Sequence, residues 1–325
     1  MPPGDGSRDP GITMWGATST GKTTFLAALS IALMRQKAQW RVGGTDQASV
    51  DRLTELTTRL TADRLFPSAT QGVEHYNWEL IGTVRRAGQR RWRWLAPTYY
   101  DESVRIPLHL IDAPGEAADR SKARGNSVLW DGLLGNMVDS RGIVFFYDPV
   151  REFTNGDAFT HTIGVLNELS QRMRSAPGGR LPHYVSVCIA KFDEIKILET
   201  ADKLGLLEYD LDPPGFPRVP DDEAREFFAQ LCTRSDSGDA EMALTLLEQT
   251  FWPDRIRFFV TSAIGFYVDP HLRVYDRDNY QNHLPPEDEN EPEPKPARIR
   301  GPVYPINVVE PILWLGKSMA GESGE

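Results

Sequence analysis

Gly16-Ala17-Thr18-Ser19-Thr20-Gly21-Lys22-Thr23 is the stretch of this 325-residue chain on which its fold turns. Four residues separate the two glycines, and Lys-Thr follows the second directly. Glycine lets the backbone curl until successive N–H groups point inward, a concavity suited to phosphate oxygens. Just upstream, Ile12-Thr13-Met14-Trp15 reads as a short buried strand. Residues 22–36 carry an apolar run of good helix formers (FLAALSIALM), and the positive end of such a helix adds to the pull on an anion. Strand, glycine loop and helix in that order are the context the P-loop pattern requires. The pattern assigns phosphate-cradling roles to Gly16, Thr18, Ser19, Thr20, Gly21, Lys22, Thr23 and Thr24. Lys22 is expected to neutralise the β- and γ-phosphates, and the Thr23 hydroxyl to bind Mg²⁺.

Working outward, Asp46 caps a helix expected over 46–62, with Val50, Leu53, Leu56 and Leu60 at helical spacing. Residues 73–84, 90–95 and 104–111 read as strands of a meandering sheet edge with a long ribbon. Buried strands are expected at 142–147 (GIVFFY), 184–190 (YVSVCIA) and 256–260 (IRFFV). A helix with Phe159, Ile163, Leu166, Leu169 and Met173 on its core face lies between the first two. Residues 306–319 read as a helix returning to the sheet, started or kinked by Pro311. Buried strands alternating with helices imply an α/β, three-layer P-loop NTPase fold. Its sheet is expected to be mostly parallel, of about six strands, with an antiparallel edge and helices on both faces. One domain over 11–320 is expected, between a loose N-terminus at 1–10 and a tail at 321–325. Two stretches read as insertions. Residues 197–255 hold a Pro-rich loop and short helices near 222–233 and 239–251. Residues 266–303, with their PPEDENEPEPKP run, read as an exposed, partly disordered, acidic loop.

Three more segments stand at strand ends. Asp112-Ala113-Pro114-Gly115 ends the third ribbon strand, where a P-loop protein needs a carboxylate for the Mg²⁺ shell; the Gly115 N–H can approach a γ-phosphate. Ala190-Lys191-Phe192-Asp193 offers a carboxylate that can accept from guanine N1–H and N2, which adenine cannot supply, and a lysine stem that can lie over the base. Thr261-Ser262-Ala263 follows the last strand, where a backbone N–H of Ser262 or Ala263 can meet guanine O6.

In this order, the four segments resemble the motif set of TRAFAC-class, Ras-like GTPases, over roughly residues 11–193 and 256–320. The architecture is also similar to the single-P-loop GTPase domains of bacterial multi-gene signalling and conflict systems, sometimes called double-GTPase domains. The resemblance implies a magnesium-dependent GTPase that cycles between GTP and GDP as a molecular switch read by a protein effector or regulator. It implies a switch I threonine on Mg²⁺ and γ-phosphate, for which Thr70 in the 66–72 loop is the choice over Thr57, Thr58 and Thr61. It implies a polar switch II over 116–126, with Arg120 and Arg124 read as solvated charges. Three departures stand out. Ala190 replaces the usual Asn or Thr that ties the base loop to the P-loop. Glu116 stands where a Gln orients the attacking water. Thr18 stands where many members have glycine. Together they imply slow intrinsic hydrolysis, or a partner that supplies the missing groups.

Other classes recede. A net charge of −10 argues against broad nucleic-acid binding, and the Arg85–Arg93 cluster reads as a solvated strand edge that carries Trp92. Apolar runs are too short to cross a bilayer, and Cys188 and Cys232 fit a reducing, cytoplasmic setting without a disulfide framework. Six histidines show no metal-ligand spacing, and His109, on a strand, reads as a core residue. Two alternatives to the switch remain open: a nucleotide-binding scaffold with negligible turnover, and an ATP-dependent P-loop enzyme.

Overall fold

In the computed structural model, β1 (Ile12–Gly16) runs into the glycine loop and α1 (Lys22–Arg35) leaves it. The residues described are 11–17, 19–36, 40–68, 74–87, 99–112, 127–173, 177–287 and 296–322. An edge follows: β2 (Trp40–Gly44), α2 (Gln47–Thr58) with a π turn at Arg59–Asp63, β3 (Glu74–Ala87) and β4 (Tyr99–Asp112). Next come α3 (Ser127–Asp139), β5 (Gly142–Tyr147), α4 (Pro149–Asn155), α5 (Ala158–Arg172), β6 (Tyr184–Ile189) and α6 (Ile195–Lys203). The short pair β7 (Glu208–Tyr209) and β8 (Pro217–Arg218) precedes α7 (Ala224–Thr233), α8 (Glu241–Thr250) and β9 (Ile256–Val260). A second short pair, β10 (His283–Leu284) and β11 (Arg298–Ile299), leads to α9 (Glu310–Glu322).

Seven strands form the main sheet, in the order β2-β3-β4-β1-β5-β6-β9. From β4 to β9 neighbours run parallel, whereas β3 is antiparallel to both β2 and β4. The P-loop NTPase fold with its antiparallel edge is therefore present. The strand not expected from the sequence is β2, whose WRVGG sequence is a poor strand former. Pairing supplies what propensity lacks: Trp40 lies opposite Gly82, and a Cβ on Gly82 would stand only 2.1 Å from the Trp40 ring.

Alternation along the strands sorts the core into two layers. Ile12, Met14, Val144 and Phe146 face α1, α2 and α9, packing on Phe25, Leu29, Leu56, Ile312 and Leu315. Trp15, Phe145, Val187 and Ile189 face the other way, towards Leu134 of α3, Leu166 and Leu169 of α5, Phe227 and Phe228 of α7, and Leu247 of α8. Asp46 does cap α2, accepting from Ser49 N–H at 2.8 Å. Pro311 stands at the second position of α9, where its missing N–H costs nothing, and its carbonyl accepts from Ser186 Oγ of β6 at 3.0 Å.

The 197–255 stretch packs on the sheet: the Phe228 ring meets Tyr147 edge-on at 4.7 Å and Phe258 at 5.3 Å. Over 266–303, expected to be exposed, the described parts are mixed: 270–274 are exposed, but other positions are buried. Phe266 is fully buried among Phe192, Phe216, Tyr275 and Tyr280, and Val268, Asn282, Ile299 and Val303 are buried too. Aromatic residues before the acidic run and the aliphatic Ile299 and Val303 after it do this work, and composition averaged over the whole stretch hides them. The acidic run itself lies mostly outside the described residues, as do the 90–95 ribbon segment, residues 1–10 and the last three positions. No helix among the described residues is long and apolar enough to cross a membrane.

Candidate functional site

The parallel strands end along one edge of the sheet, where ligands of open α/β sheets bind. β1 must end on glycine: a Cβ at Gly16 would stand 2.8 Å from the Cβ of Phe146 on the neighbouring strand. Beyond it, Ser19 (φ 62°) and Gly21 (φ 89°) both take left-handed backbone, a shape that turns successive N–H groups inward. For Ser19 that region costs about 1–2 kcal/mol, strain of the kind functional loops store. The loop is braced from within. Thr20 Oγ1 donates to the Ala17 carbonyl (2.8 Å), while Lys22 Nζ folds back to donate to the carbonyls of Gly16 (2.9 Å) and Ala17 (2.8 Å). No described side chain caps α1 at Gly21, so its positive end faces the cavity that Lys22, Thr23 and Thr24 line.

Two other predicted segments meet at the ends of β6 and β9. Phe192 N–H donates to the Thr261 carbonyl (3.1 Å) and Thr261 N–H to the Ile189 carbonyl (2.8 Å), locking the loops together. This brings the Ser262 hydroxyl onto the Asp193 carboxylate, to which it donates a short hydrogen bond, while Ser262 Oγ accepts from Gly265 N–H at 2.8 Å. Burial pushes the Asp193 carboxyl up to about 6, against the opposing pull of the Ser262 hydrogen bond. Lys191 has left-handed backbone (φ 60°), and its ammonium pairs with Asp148 at 2.6 Å. Asp148, at the end of β5, also caps α4 by accepting from Val150 N–H (3.0 Å) and Arg151 N–H (3.2 Å). Ala190 N–H donates to the Tyr147 carbonyl at 2.9 Å. The loop that Ala190 cannot tie to the P-loop by a side chain is tied instead to the end of β5, by backbone and by the Lys191–Asp148 pair.

A single cavity of about 550 Å³ joins the two regions. Ser19, Gly21, Lys22 and Thr23 line one end; Ala190, Lys191, Asp193 and Ala263 line the other. Phe66, His283 and Ala297 complete its wall. His283 pairs with Glu194 (Nδ1 to Oε1, 3.2 Å) and sits edge-on to the Phe66 ring at 5.5 Å. The pairing raises the His283 pKa and lowers that of Glu194.

The predicted residues Gly16, Ser19, Thr20, Gly21, Lys22, Thr23, Thr24, Lys191, Asp193, Ser262 and Ala263 thus fall around this cavity or in the loops that frame it. Asp112 ends β4, which pairs with β1 at Ile12↔Leu108 and Thr13↔His109. Thr18, Thr70, Gly115 and Glu116 lie outside the described residues, as do Arg120 and Arg124. Among the described residues no three His, Cys, Asp or Glu side chains converge as a metal site, and Cys188 and Cys232 are free and buried. Sequence reasoning missed Phe66, Asp148, Glu194 and His283. None carries a local signal, because each reaches the site only through tertiary pairing.

Fold and site together define a P-loop NTPase fold with a continuous cavity at the carboxyl edge of its sheet. No family model matches the chain, and no curated protein does. Among solved structures it is distantly similar to the signal recognition particle receptor SRb in the GTP/SRX complex of Chaetomium thermophilum, at 14% identity and TM-score 0.37, covering 80% of this chain and 93% of that one. It is also distantly similar to the S. cerevisiae Ski7 GTPase-like domain bound to GTP, at 15% identity and TM-score 0.35, covering 78% of this chain and 43% of that one.

Proposed function

We propose that this chain binds GTP with Mg²⁺ and hydrolyses it slowly to GDP and phosphate, acting as a switch read by a protein partner. One observation carries the reading: a single cavity runs from Lys22 and the open end of α1 to the buried Asp193 carboxylate. A polyphosphate fits the first end because backbone amides and an ammonium converge there. A guanine fits the second, where ionised Asp193 accepts from N1–H and N2, the Ala263 backbone N–H meets O6, and the Lys191 stem covers one face of the base. Held by Ser262, the Asp193 carboxylate presents its remaining lone pairs to the ligand.

Mg²⁺, when bound, neutralises charge on the phosphate oxygens and orients them. Thr23 lines the cavity and Asp112 ends the strand beside β1, and these two are the residues that would hold the ion, with Thr70 added in the triphosphate state. Lys22 and the loop amides stabilise charge as it moves onto the β-phosphate side. The Gly115 amide senses the γ-phosphate, and Glu116 holds the attacking water less well than a glutamine would, which is the basis for slow turnover.

The nucleotide that co-purifies with the chain, identified by mass and chromatography, tests the base assignment; ATP in place of GTP or GDP overturns it. Single-turnover hydrolysis with Thr23→Ala, Asp112→Ala and Glu116→Gln tests the rest. The first two substitutions are expected to abolish it, and the third to accelerate it by about tenfold. Rates unaffected by any of the three leave a binding scaffold as the better description.

A further inference from the structure

The cavity wall beside Asp193 holds a pair of side chains that the polyphosphate and guanine contacts leave unused. Glu194 follows Asp193 in the chain, His283 stands on β10, and both line the cavity. They meet at 3.2 Å through Nδ1 and Oε1, and their side chains stay about one-third exposed (37% for His283, 31% for Glu194). The backbone that carries His283 is firmly held. Asn282, buried, donates to the Ile264 carbonyl (3.1 Å) and accepts from Gly301 N–H (2.8 Å). Ile299, opposite His283, is buried as well, and its N–H donates to the Arg64 carbonyl (2.7 Å). The Phe66 ring stands edge-on to the imidazole at 5.5 Å. An imidazole fixed in this way meets a ligand without first being ordered, which is what a specificity contact needs.

The pairing lowers the Glu194 pKa and so keeps that carboxylate ionised. An ionised carboxylate only accepts hydrogen bonds, so Nδ1 carries a proton towards Glu194 and Nε2 is left for a ligand. Nε2 accepts when the ring is neutral and donates when it is charged. A hydroxyl suits both states, because it can donate and accept. The guanosine edge that meets a carboxylate runs from N1–H to the N2 amino group, then to N3 and the 2′-hydroxyl of the sugar. With O6 given to Ala263, the groups past N2 are what remains for Glu194 and His283. Taking this cavity to be the guanine-nucleotide site, we propose that His283 is a specificity-determining residue that hydrogen-bonds the ribose 2′-hydroxyl, with Glu194 as its positioning residue. The site then prefers ribonucleotides to 2′-deoxyribonucleotides.

Titration calorimetry of the full chain with GDP and with 2′-deoxy-GDP tests this. The parent is expected to bind GDP about tenfold more tightly, the worth of one hydrogen bond. His283→Phe keeps a ring beside Phe66 but offers no nitrogen, and His283→Ala removes ring and nitrogen together. Each should bind the two nucleotides within about twofold of one another. Glu194→Ala should cut the preference to about threefold, whereas Glu194→Gln, whose amide oxygen still accepts from Nδ1, should keep it. A parent preference below about twofold, or one that survives both His283 substitutions, overturns the proposal. Should neither His283 variant fold, the Glu194 pair decides, and a preference that Glu194→Ala leaves unmoved overturns it. A parent chain that takes up neither nucleotide overturns the underlying site assignment, an outcome distinct from equal uptake of both.

Discussion

The Lys22 end and the Asp193 end of the cavity are built from different materials. Around Lys22 the lining comes from one continuous stretch, residues 19–25, and its shape comes from backbone torsions at Ser19 and Gly21. Around Asp193 the lining comes from separate places, Lys191, Asp193 and Glu194 after β6, Ala263 after β9 and His283 on β10, and Ser262 and Asp148 brace two of these side chains from behind. A backbone-built site depends on conformation and little on side-chain identity or pH. A side-chain-built site depends on each partner and on its protonation. On the proposed reading, the first would give grip common to all nucleotides and the second choice among them.

Lys22→Ala should break the comparison most visibly. Removing the one charge at the phosphate end should weaken GDP and GTP alike by about 100-fold, since truncating a partner of a close charge pair costs about 2–5 kcal/mol. Titration calorimetry measures this. Thermal unfolding should move far less than affinity, because the bonds to the Gly16 and Ala17 carbonyls brace one loop and leave the core untouched. Affinity within threefold of the parent would mean that the ammonium never meets the ligand. Asp193→Asn comes next, with a different signature. GDP should lose about 30-fold while xanthosine diphosphate gains, because the amide offers a donor where guanine brings one and xanthine an acceptor. A loss shared equally by both nucleotides would place Asp193 outside the base contact.

The same contrast explains what could be read from the chain beforehand. Gly16, Gly21, Lys22 and Thr23 were legible because a backbone nest is a local object: its glycines, spacing and flanking strand and helix all sit within some twenty-five residues. Asp193 and Ser262 could be proposed separately, but their meeting depends on β6 pairing with β9 at Ile189↔Val260, a long-range fact with no local trace. β2 was missed because Trp40 is held by the hollow over Gly82, not by propensity. His283 was hidden more completely. It lies just before a run so acidic that composition points to an exposed loop, whereas Phe266, Tyr280 and Asn282 seat its flank in the core.

The smallest expected effect is the sharpest test of a side-chain-built site. Burial has raised Asp193 from its usual 3.8 to about 6, and guanine donors would favour its ionised form, so binding should release a proton near that pH. GDP affinity should be flat well above pH 6 and fall by up to about tenfold per unit below it. Stability of the free chain should run the other way. A carboxyl whose folded pKa is raised contributes stability that is full below about pH 4 and is lost as pH rises through about 6. Ser262→Ala removes the hydrogen bond that favours the charged form, so the Asp193 pKa should climb further and the affinity midpoint move to higher pH. At pH 7 the loss should be only about threefold to fivefold, the worth of one hydrogen bond to a charged group partly replaced by water. Because His283 is itself raised by Glu194 and faces Asp193 and Lys191, the titration belongs in the His283→Ala chain as well as the parent. If the Ser262→Ala and parent curves superimpose in both backgrounds, the hydroxyl is packing beside Asp193 without setting its charge, and the base end owes its selectivity to shape.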